Sequence, residues 1–212
     1  ESIAINIGET GPNSALVPWI RIYGPSGAFV AGGNNWGDLA AQVTVTAPAT
    51  GIYTILVSTA DSGNDAIGTY QITAVNLGET PIVSPGDDGG NLTNGGNHTG
   101  TLHLGDLDPW RIPATSGESI AINIGETGPN SALVPWIRVY GPSGAFVAGT
   151  NNWGDLAAQV TFSAPATGIY TVIVSTADSG NDDTGTYLLT MLQTPGAFVV
   201  PVGDEGGSLS NG

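Results

Sequence analysis

Cysteine and lysine are both absent from this chain of 212 residues, and only three arginines accompany eighteen acidic side chains. Without cysteine the chain has neither disulfides nor thiolate ligands for a metal. Without lysine it has no phosphate-binding loop of the Gly-Lys type. The formal net charge of -15 excludes nucleic acid as a partner and argues against binding to anionic membranes.

Catalytic bases are also scarce. The two histidines, His98 and His103, lie in a segment that the chain contains only once, and we expect His103 to face solvent from a strand. Nucleophilic catalysis needs a base within hydrogen-bond reach of the nucleophile. The paired carboxylates lie in glycine-rich turns with no aromatic cleft around them. We therefore expect that the protein is not an enzyme.

No apolar run approaches the length of a membrane span, so we expect no membrane insertion. A composition without lysine and with only three arginines offers few sites to trypsin-like proteases. The sequence therefore favours an extracellular or cell-surface location.

The chain is an internal repeat. Residues 118–190 repeat residues 1–73 without a gap, at an offset of 117 and with ten differences. The match resumes further on, where PGDDGGNLTNG at 85–95 corresponds to VGDEGGSLSNG at 202–212. A fixed period of this size determines the architecture and must be interpreted before any local pattern.

Residues 96–117 occur once, in front of the second copy. We therefore predict a first sandwich repeat over 1–83 that lacks its N-terminal strands, and a complete repeat over 84–200. Residues 201–212 would begin a third repeat or serve as an exchange segment. Another chain or a preceding repeat would supply the missing strands; the alternative is that the sequence is a piece cut from a longer chain.

Local patterns indicate strands throughout. Alternation or β-branched runs cover Ser2 to Ile7, Trp19 to Tyr23, Gln42 to Thr46, Ile52 to Val57 and Thr69 to Val75. Clusters such as GPSG, APATG and DSGND are turn signals between them. Two further strands, Gly100 to Leu104 and Pro109 to Pro113, precede the second copy. We predict an all-β fold of two tandem, jelly-roll-like β-sandwich repeats, with Trp19, Trp110 and Trp136 in the core.

Five motifs in order resemble the bacterial pre-peptidase C-terminal domain. They are GDLDPWRI (105–112), ESIAINI (118–124), PWIRVYGPSGAFVA (135–148), QVTFSAPATGIYTVIVS (159–175) and GTYLLTM (185–191). The resemblance covers 86–192 as one whole domain and 1–75 as a second domain without its front. It implies a secreted, non-catalytic sandwich beside a catalytic domain; some relatives bind calcium, and some bind collagen or polysaccharide.

Calcium is the cofactor that the loops favour, because carboxylate, amide and carbonyl oxygens on flexible glycine-rich loops suit a hard cation. The alternative is that these side chains form Asx turns with their own backbone. The candidate ligands lie in PGDDGG, in GDLDP and in the two DSGND loops, and are Asp87, Asp88, Asp106, Asp108, Asp61, Asn64, Asp65, Asp178, Asn181 and Asp182.

Trp36 and Trp153 lie in the repeated loop NNWGD, and loop tryptophans can stack on sugars. They are our candidate ligand-binding residues, with polysaccharide as the partner. The competing interpretation is that they cap the sandwich or fill a contact between repeats.

Two functions remain open at this point. The first is an extracellular structural protein in which copies associate head to tail, with strand exchange, into a fibre, stalk or adhesin shaft. The second is a non-catalytic accessory module of a secreted hydrolase that binds polysaccharide or matrix. The near-identity of the copies favours the first, because a shaft requires only repetition.

Overall fold

The structure is a computed structural model that describes residues 1–11, 15–128 and 132–207. Every regular element in these ranges is a strand, which confirms the predicted all-β class. The strands form two β-sandwich units, and their equivalent strands lie 117 positions apart, which confirms the tandem repeat. No helix in the described ranges is long and apolar enough to cross a membrane.

The first unit contains six strands in two three-stranded sheets. The strands are β1 (Ser2–Glu9), β2 (Pro18–Tyr23), β3 (Phe29–Asn34), β4 (Ala40–Thr46), β5 (Thr54–Thr59) and β6 (Tyr70–Asn76). One sheet has the order β4-β1-β6 and the other the order β3-β2-β5, with antiparallel pairing throughout.

The second unit contains nine strands. They are β7 (Gly90–Asn91), β8 (Asn97–Leu102), β9 (Asp108–Ala114), β10 (Ser119–Glu126), β11 (Pro135–Tyr140), β12 (Phe146–Asn151), β13 (Ala157–Ser163), β14 (Gly168–Thr176) and β15 (Gly185–Thr194). The sheets have the orders β13-β10-β15-β8 and β12-β11-β14-β9-β7. Strands β10 to β15 correspond to β1 to β6, so β7, β8 and β9 have no counterpart among the described residues of the first unit.

Strict alternation explains how each sandwich is filled. In β10, Ile120, Ile122 and Ile124 point into the core, while Ser119 and Asn123 face outward and are exposed. The same alternation in β1 places Ile5 and Ile7 in the first core. Successive side chains of a strand alternate between the two faces of its sheet, so each strand contributes one face to the core.

The structure corrects the prediction for two of the three tryptophans that we expected in the core. Trp110 is buried in the core, but Trp19 and Trp136 lie half-buried on the outer face beneath the guanidinium groups of Arg21 and Arg138, each 4.2 Å from the ring centroid. The reason is the alternation itself, because Ile20 and Ile137 take the inward positions.

His103 is exposed as predicted, but it lies in the turn after β8 and not in a strand. The sequence patterns also missed β3 and β12. These strands begin after the GPSG turn at an exposed phenylalanine and contain glycine, which weakens any strand signal.

Candidate functional site: open sheet edges, an acidic cluster and the contact between units

Strands β5 and β6 of the first unit each lie at the edge of a sheet. Their counterparts in the second unit do not: β14 pairs with β9 over Asp108 to Ala114, and β15 pairs with β8 over Asn97 to Leu102. The equivalent strands therefore have a neighbour on both sides in the second unit and on one side only in the first unit. We call the second unit closed and the first unit open.

Strands β8 and β9 close the second unit by adding apolar side chains and one polar network. Trp110, Ile112 and Leu102 join the core. The indole Nε1 of Trp110 donates to the hydroxyl oxygen of Tyr187 at 3.0 Å, and the Tyr187 hydroxyl donates to Oδ2 of Asp108 at 2.5 Å. Buried polar groups of this kind are stable only when they are paired.

The open edges of the first unit expose side chains that are core residues in the second unit. Tyr70 is 48% exposed, whereas the equivalent Tyr187 is 0% exposed; Ile72 is 39% exposed, whereas Leu189 is 0% exposed. An edge strand also presents unpaired backbone groups, which makes it a template for another strand. Along β6 runs a groove of about 370 Å³ that the strand lines from Gln71 to Val75.

An acidic cluster lies at the other side of this groove. Carboxylate oxygens of Asp87, Asp106 and Asp108 lie within 4.8 Å of one another. Asp106 and Asp108 are both more than nine-tenths buried, and each has one oxygen without a hydrogen-bond partner, Oδ2 and Oδ1 respectively. Buried, unpaired carboxylate oxygens this close together repel and require a proton or a cation.

The pKa values reflect this repulsion. Burial, followed by the charge of Asp106, raises the pKa of Asp108 to about 9. Burial and the same neighbour raise the pKa of Asp87 to about 6. At neutral pH without a cation the cluster therefore holds a proton, and a divalent ion can replace it. The set of hard oxygen donors fits calcium.

The remaining predicted ligands are arranged differently. Asp88 accepts the backbone N–H of Thr101 at 2.7 Å and is outside the cluster. In the first DSGND loop, Asp61 accepts the backbone N–H groups of Gly63 and Asp65, as in the Asx-turn alternative. Its pKa falls to about 2, chiefly because the Thr59 hydroxyl donates to it.

Asn64 and Asn181 have left-handed backbones with φ of 52° and 53° and serve as turn residues in these loops. In the second loop Asp178, Asp182 and Asp183 come together. Asp183 was not among the predicted ligands. The sequence feature that could have pointed to it is the replacement of Ala66 in the first copy by an aspartate in the second. All three are only partly buried, which distinguishes this group from the cluster at Asp108.

Trp36 and Trp153 are 66% and 65% exposed. Both indoles therefore lie on the surface of their loops, and neither caps a sandwich. The exposed fraction is nearly the same for both indoles, although the loop of Trp36 contacts the second unit through Asn35 and Ser179. This leaves both rings accessible to a ligand.

The two units pack against each other through their outer faces. An apolar cluster joins Ala4, Val75 and Leu77 of the first unit to Leu107, Tyr140 and Ile173 of the second. Around it, the Asn6 amide donates to the Asp106 carbonyl oxygen at 2.9 Å. A Cβ on Gly8 would collide with the backbone of Gly105, so this approach requires glycine.

Three more hydrogen bonds cross the same contact. The Asn35 amide donates to the Ser179 carbonyl oxygen at 2.6 Å, and the Leu39 N–H donates to Oδ2 of Asp182 at 3.3 Å. Nη1 of Arg138 donates to the Thr44 hydroxyl at 3.4 Å. We call this set of contacts the inter-unit contact. It combines apolar packing with polar pairing, as specific interfaces do.

Fold and edges together define a tandem β-sandwich repeat protein with one closed unit and one open unit. No protein-family model and no curated protein matches the chain. Among solved structures it is similar to the pre-peptidase C-terminal domain of a collagenase from Bacillus anthracis, with 19% identity, 50% of this chain and 95% of that chain covered, and a TM-score of 0.40.

A second similar structure is PliG from Aeromonas hydrophila, a periplasmic lysozyme inhibitor of g-type lysozyme. It shares 16% identity, covers 51% of this chain and 99% of its own, and has a TM-score of 0.38. The domain family indicated by the sequence motifs is among these structures, and each of the two structures covers about half of this chain.

Proposed function

We propose that this protein is a non-catalytic, extracellular structural repeat whose copies associate head to tail into a fibre, with strands supplied across unit boundaries. The observation that carries the proposal is the exposure of core residues along β5 and β6. Pairing these edges with added strands would satisfy the backbone and bury the apolar face in one step.

The strands that would fit are of the kind found at β8 and β9. In the second unit, Trp110 and Asp108 of β9 contact Tyr187; in the first unit Tyr70 occupies the equivalent position and is half-exposed. A preceding repeat or another molecule would provide them. A head-to-tail contact of this type does not close on itself and therefore extends as a filament.

Complementation in trans tests the proposal directly. A synthetic peptide of residues 96–114 is titrated into the full chain and followed by calorimetry. We expect one peptide per chain and a higher melting temperature, because a ligand that binds only the folded form stabilises it.

Two controls make this test specific. A peptide with Trp110→Asp and Ile112→Asp has the same backbone but loses the two large apolar side chains of β9, and should not bind. The chain variant Tyr70→Ala should weaken binding of the normal peptide, whereas Tyr187→Ala removes a contact in the closed unit only. If the normal peptide gives no heat, and light scattering and electron microscopy show no multimers, the proposal is wrong.

Calcium at Asp87, Asp106 and Asp108 is the second part of the proposal. Its support is the pair of buried, unpartnered carboxylate oxygens at Asp106 and Asp108. The groove along β6 is lined by Asp87 and Asp106 and gives an ion access from solvent. A bound ion would remove the repulsion within the cluster.

Thermal unfolding with calcium and with chelator tests the metal. Calcium at about 100 times its Kd should add about 2.7 kcal/mol of stability. Asp108→Asn should abolish this gain, and Asp61→Asn, in a loop outside the cluster, should leave it intact. Equal melting temperatures with calcium and with chelator in the unaltered chain would remove calcium from the proposal.

A polysaccharide-binding accessory module is the alternative function, and the exposed indoles of Trp36 and Trp153 favour it. Aromatic rings on the surface of a repeated loop provide one stacking platform per unit. Glycan-array binding that disappears in the double variant Trp36→Ala, Trp153→Ala would support this function. Binding that persists in the double variant would exclude these residues as the site.

A further inference from the structure

The inter-unit contact uses one face of the first unit and a different face of the second unit. Because the units are repeats, each unit also carries the face that its neighbour uses, and this second face is unoccupied. The first unit contributes the outer face of β4-β1-β6. The corresponding face of the second unit, on β13, β10 and β15, has no contact with the first unit among the described residues. We call the occupied face of the first unit and its free counterpart the donor faces.

Burial differs sharply between the two donor faces although their residues are the same. Ser2 and Asn6 are buried in the first unit. Their counterparts Ser119 and Asn123 are exposed. A Cβ on Gly8 would meet the backbone of Gly105, but a Cβ on Gly125 would meet nothing within 4 Å.

The opposite face shows the same relation in reverse. In the second unit, Arg138, Tyr140 and Ile173 on β11 and β14 are buried beneath the first unit. We call these residues and their first-unit counterparts the acceptor faces. In the first unit Arg21 and Tyr23 are half-buried, and Leu56 is 43% exposed.

The free acceptor face is already organised for binding. Nη2 of Arg21 donates to the Ser58 hydroxyl at 2.9 Å, as Nη2 of Arg138 donates to Ser175 at 3.0 Å. Both guanidinium groups stack at 4.2 Å on a tryptophan. Because Arg21 already has the partners within its own unit that Arg138 has in the occupied face, little ordering cost remains.

We propose that the free donor face of the second unit binds the free acceptor face of the first unit in a second copy of this chain. The geometry would be that of the inter-unit contact. Thr161 of one molecule would then take the place of Thr44, and Arg21 of the next molecule the place of Arg138. The surfaces differ from each other, so the contact is heterologous and repeats without closing.

The two contacts are not identical in composition. Leu192 replaces Val75 and Leu56 replaces Ile173, which keeps the apolar character, but Thr194 replaces Leu77. Leu107 and Gly105 belong to the segment that has no counterpart in the first unit. The inference therefore rests on the proposed function, since a complementing segment like 103–107 would complete the acceptor face.

Paired cysteines in this cysteine-free chain test the geometry. Asn35→Cys with Ser179→Cys spans the inter-unit contact and should give an intramolecular link with a short bis-maleimide, leaving the chain monomeric on a denaturing gel. Asn152→Cys with Ser62→Cys occupies the corresponding positions of the free faces. We expect this second pair to give a ladder of covalent multimers.

A charge variant tests the face independently. Asn123→Arg places a large cation at the centre of the free donor face and should weaken association at least tenfold in sedimentation experiments. Ala166→Arg is the matched control: it adds the same charge to a loop whose counterpart, Ala49, stays exposed in the first unit. It should leave association unchanged.

The outcomes separate the two proposals. Multimers in sedimentation without a ladder from Asn152→Cys and Ser62→Cys would overturn this inference and leave the fibre intact. A ladder that Asn123→Arg does not diminish would also overturn it. If neither sedimentation nor cross-linking shows multimers, the inference and the fibre both fail. A ladder that Asn123→Arg suppresses and Ala166→Arg does not would support the assigned faces.

Discussion

At the scale of single residues, Asp108 depends most strongly on its surroundings. It is fully buried, it accepts the Tyr187 hydroxyl through one oxygen, and its other oxygen faces two further carboxyl groups without a partner. The same aspartate in an exposed turn would be an ordinary surface charge. Here its burial couples the stability of the closed unit to pH.

The expected pH dependence follows from the direction of this shift. The pKa of Asp108 is about 9 in the folded chain and about 3.9 in an unfolded one. Between these values the unfolded state has released a proton that the folded state keeps, so stability falls as pH rises. Asp87, with a pKa of about 6, adds to the fall between about pH 4 and 6.

Denaturant titrations of the chain in chelator, from pH 5 to pH 9, would measure this slope. Asp108→Asn should flatten it and raise stability at pH 7, because an amide is buried without the proton uptake that Asp108 requires on folding. Calcium should flatten it in the unaltered chain as well. A stability that rises with pH over this range in chelator would contradict the assignment.

At the scale of elements, the two units place nearly identical strands in different environments. Strands β14 and β15 each have neighbours on both sides, whereas β5 and β6 each have a neighbour on one side only. A strand with one neighbour loses half of its inter-strand pairing, and its backbone groups remain open to water. The number of neighbouring strands, and not the sequence of the strand, therefore determines its local stability.

Hydrogen exchange should show this difference. We expect the amides of β5 and β6 to exchange faster than those of β14 and β15, because exposed edges open locally at a lower free energy than core strands. Mass spectrometry can distinguish the two copies, since Ile55 in β5 and Gln71 in β6 differ in mass from Val172 and Leu188. Adding the 96–114 peptide should slow exchange in β5 and β6 alone; equal protection in both units without the peptide would contradict the open edges.

At the scale of the whole molecule, charge opposes assembly. A net charge of -15 makes copies repel one another, while the inter-unit contact is formed by apolar side chains and hydrogen bonds that involve only one arginine and one aspartate. Screening weakens the repulsion between exposed charges much more than it weakens contacts of this kind.

Association should therefore increase with salt. Raising the ionic strength from about 0.01 M to 0.15 M shortens the screening length from about 30 Å to about 8 Å, and light scattering should report larger assemblies at the higher value. Magnesium and calcium at equal ionic strength separate screening from binding, because only the cluster at Asp108 should prefer calcium. Dissociation on adding salt would indicate that charge pairs hold the copies together.

Much of this architecture was accessible from the sequence. The exact offset of the repeat predicted two equivalent units, and the alternation of Ile3, Ile5 and Ile7 predicted a half-buried strand. Asp106 and Asp108 stood out as two carboxylates two residues apart on one face of an extended segment. Each of these features is local or periodic, so a linear pattern can reveal it.

What the sequence could not show is which of two identical side chains is covered. Nothing in the letters distinguishes Asn6 from Asn123, yet one is buried against Asp106 and the other is exposed. Asp87 joins Asp106 and Asp108 only because β7 runs beside β9, and Trp19 lies outside the core only because Ile20 takes the inward position. The periodic sequence pattern within each copy determined its fold. The burial of a given side chain depends on residues that are distant along the chain, so only the tertiary packing of the two units decides it.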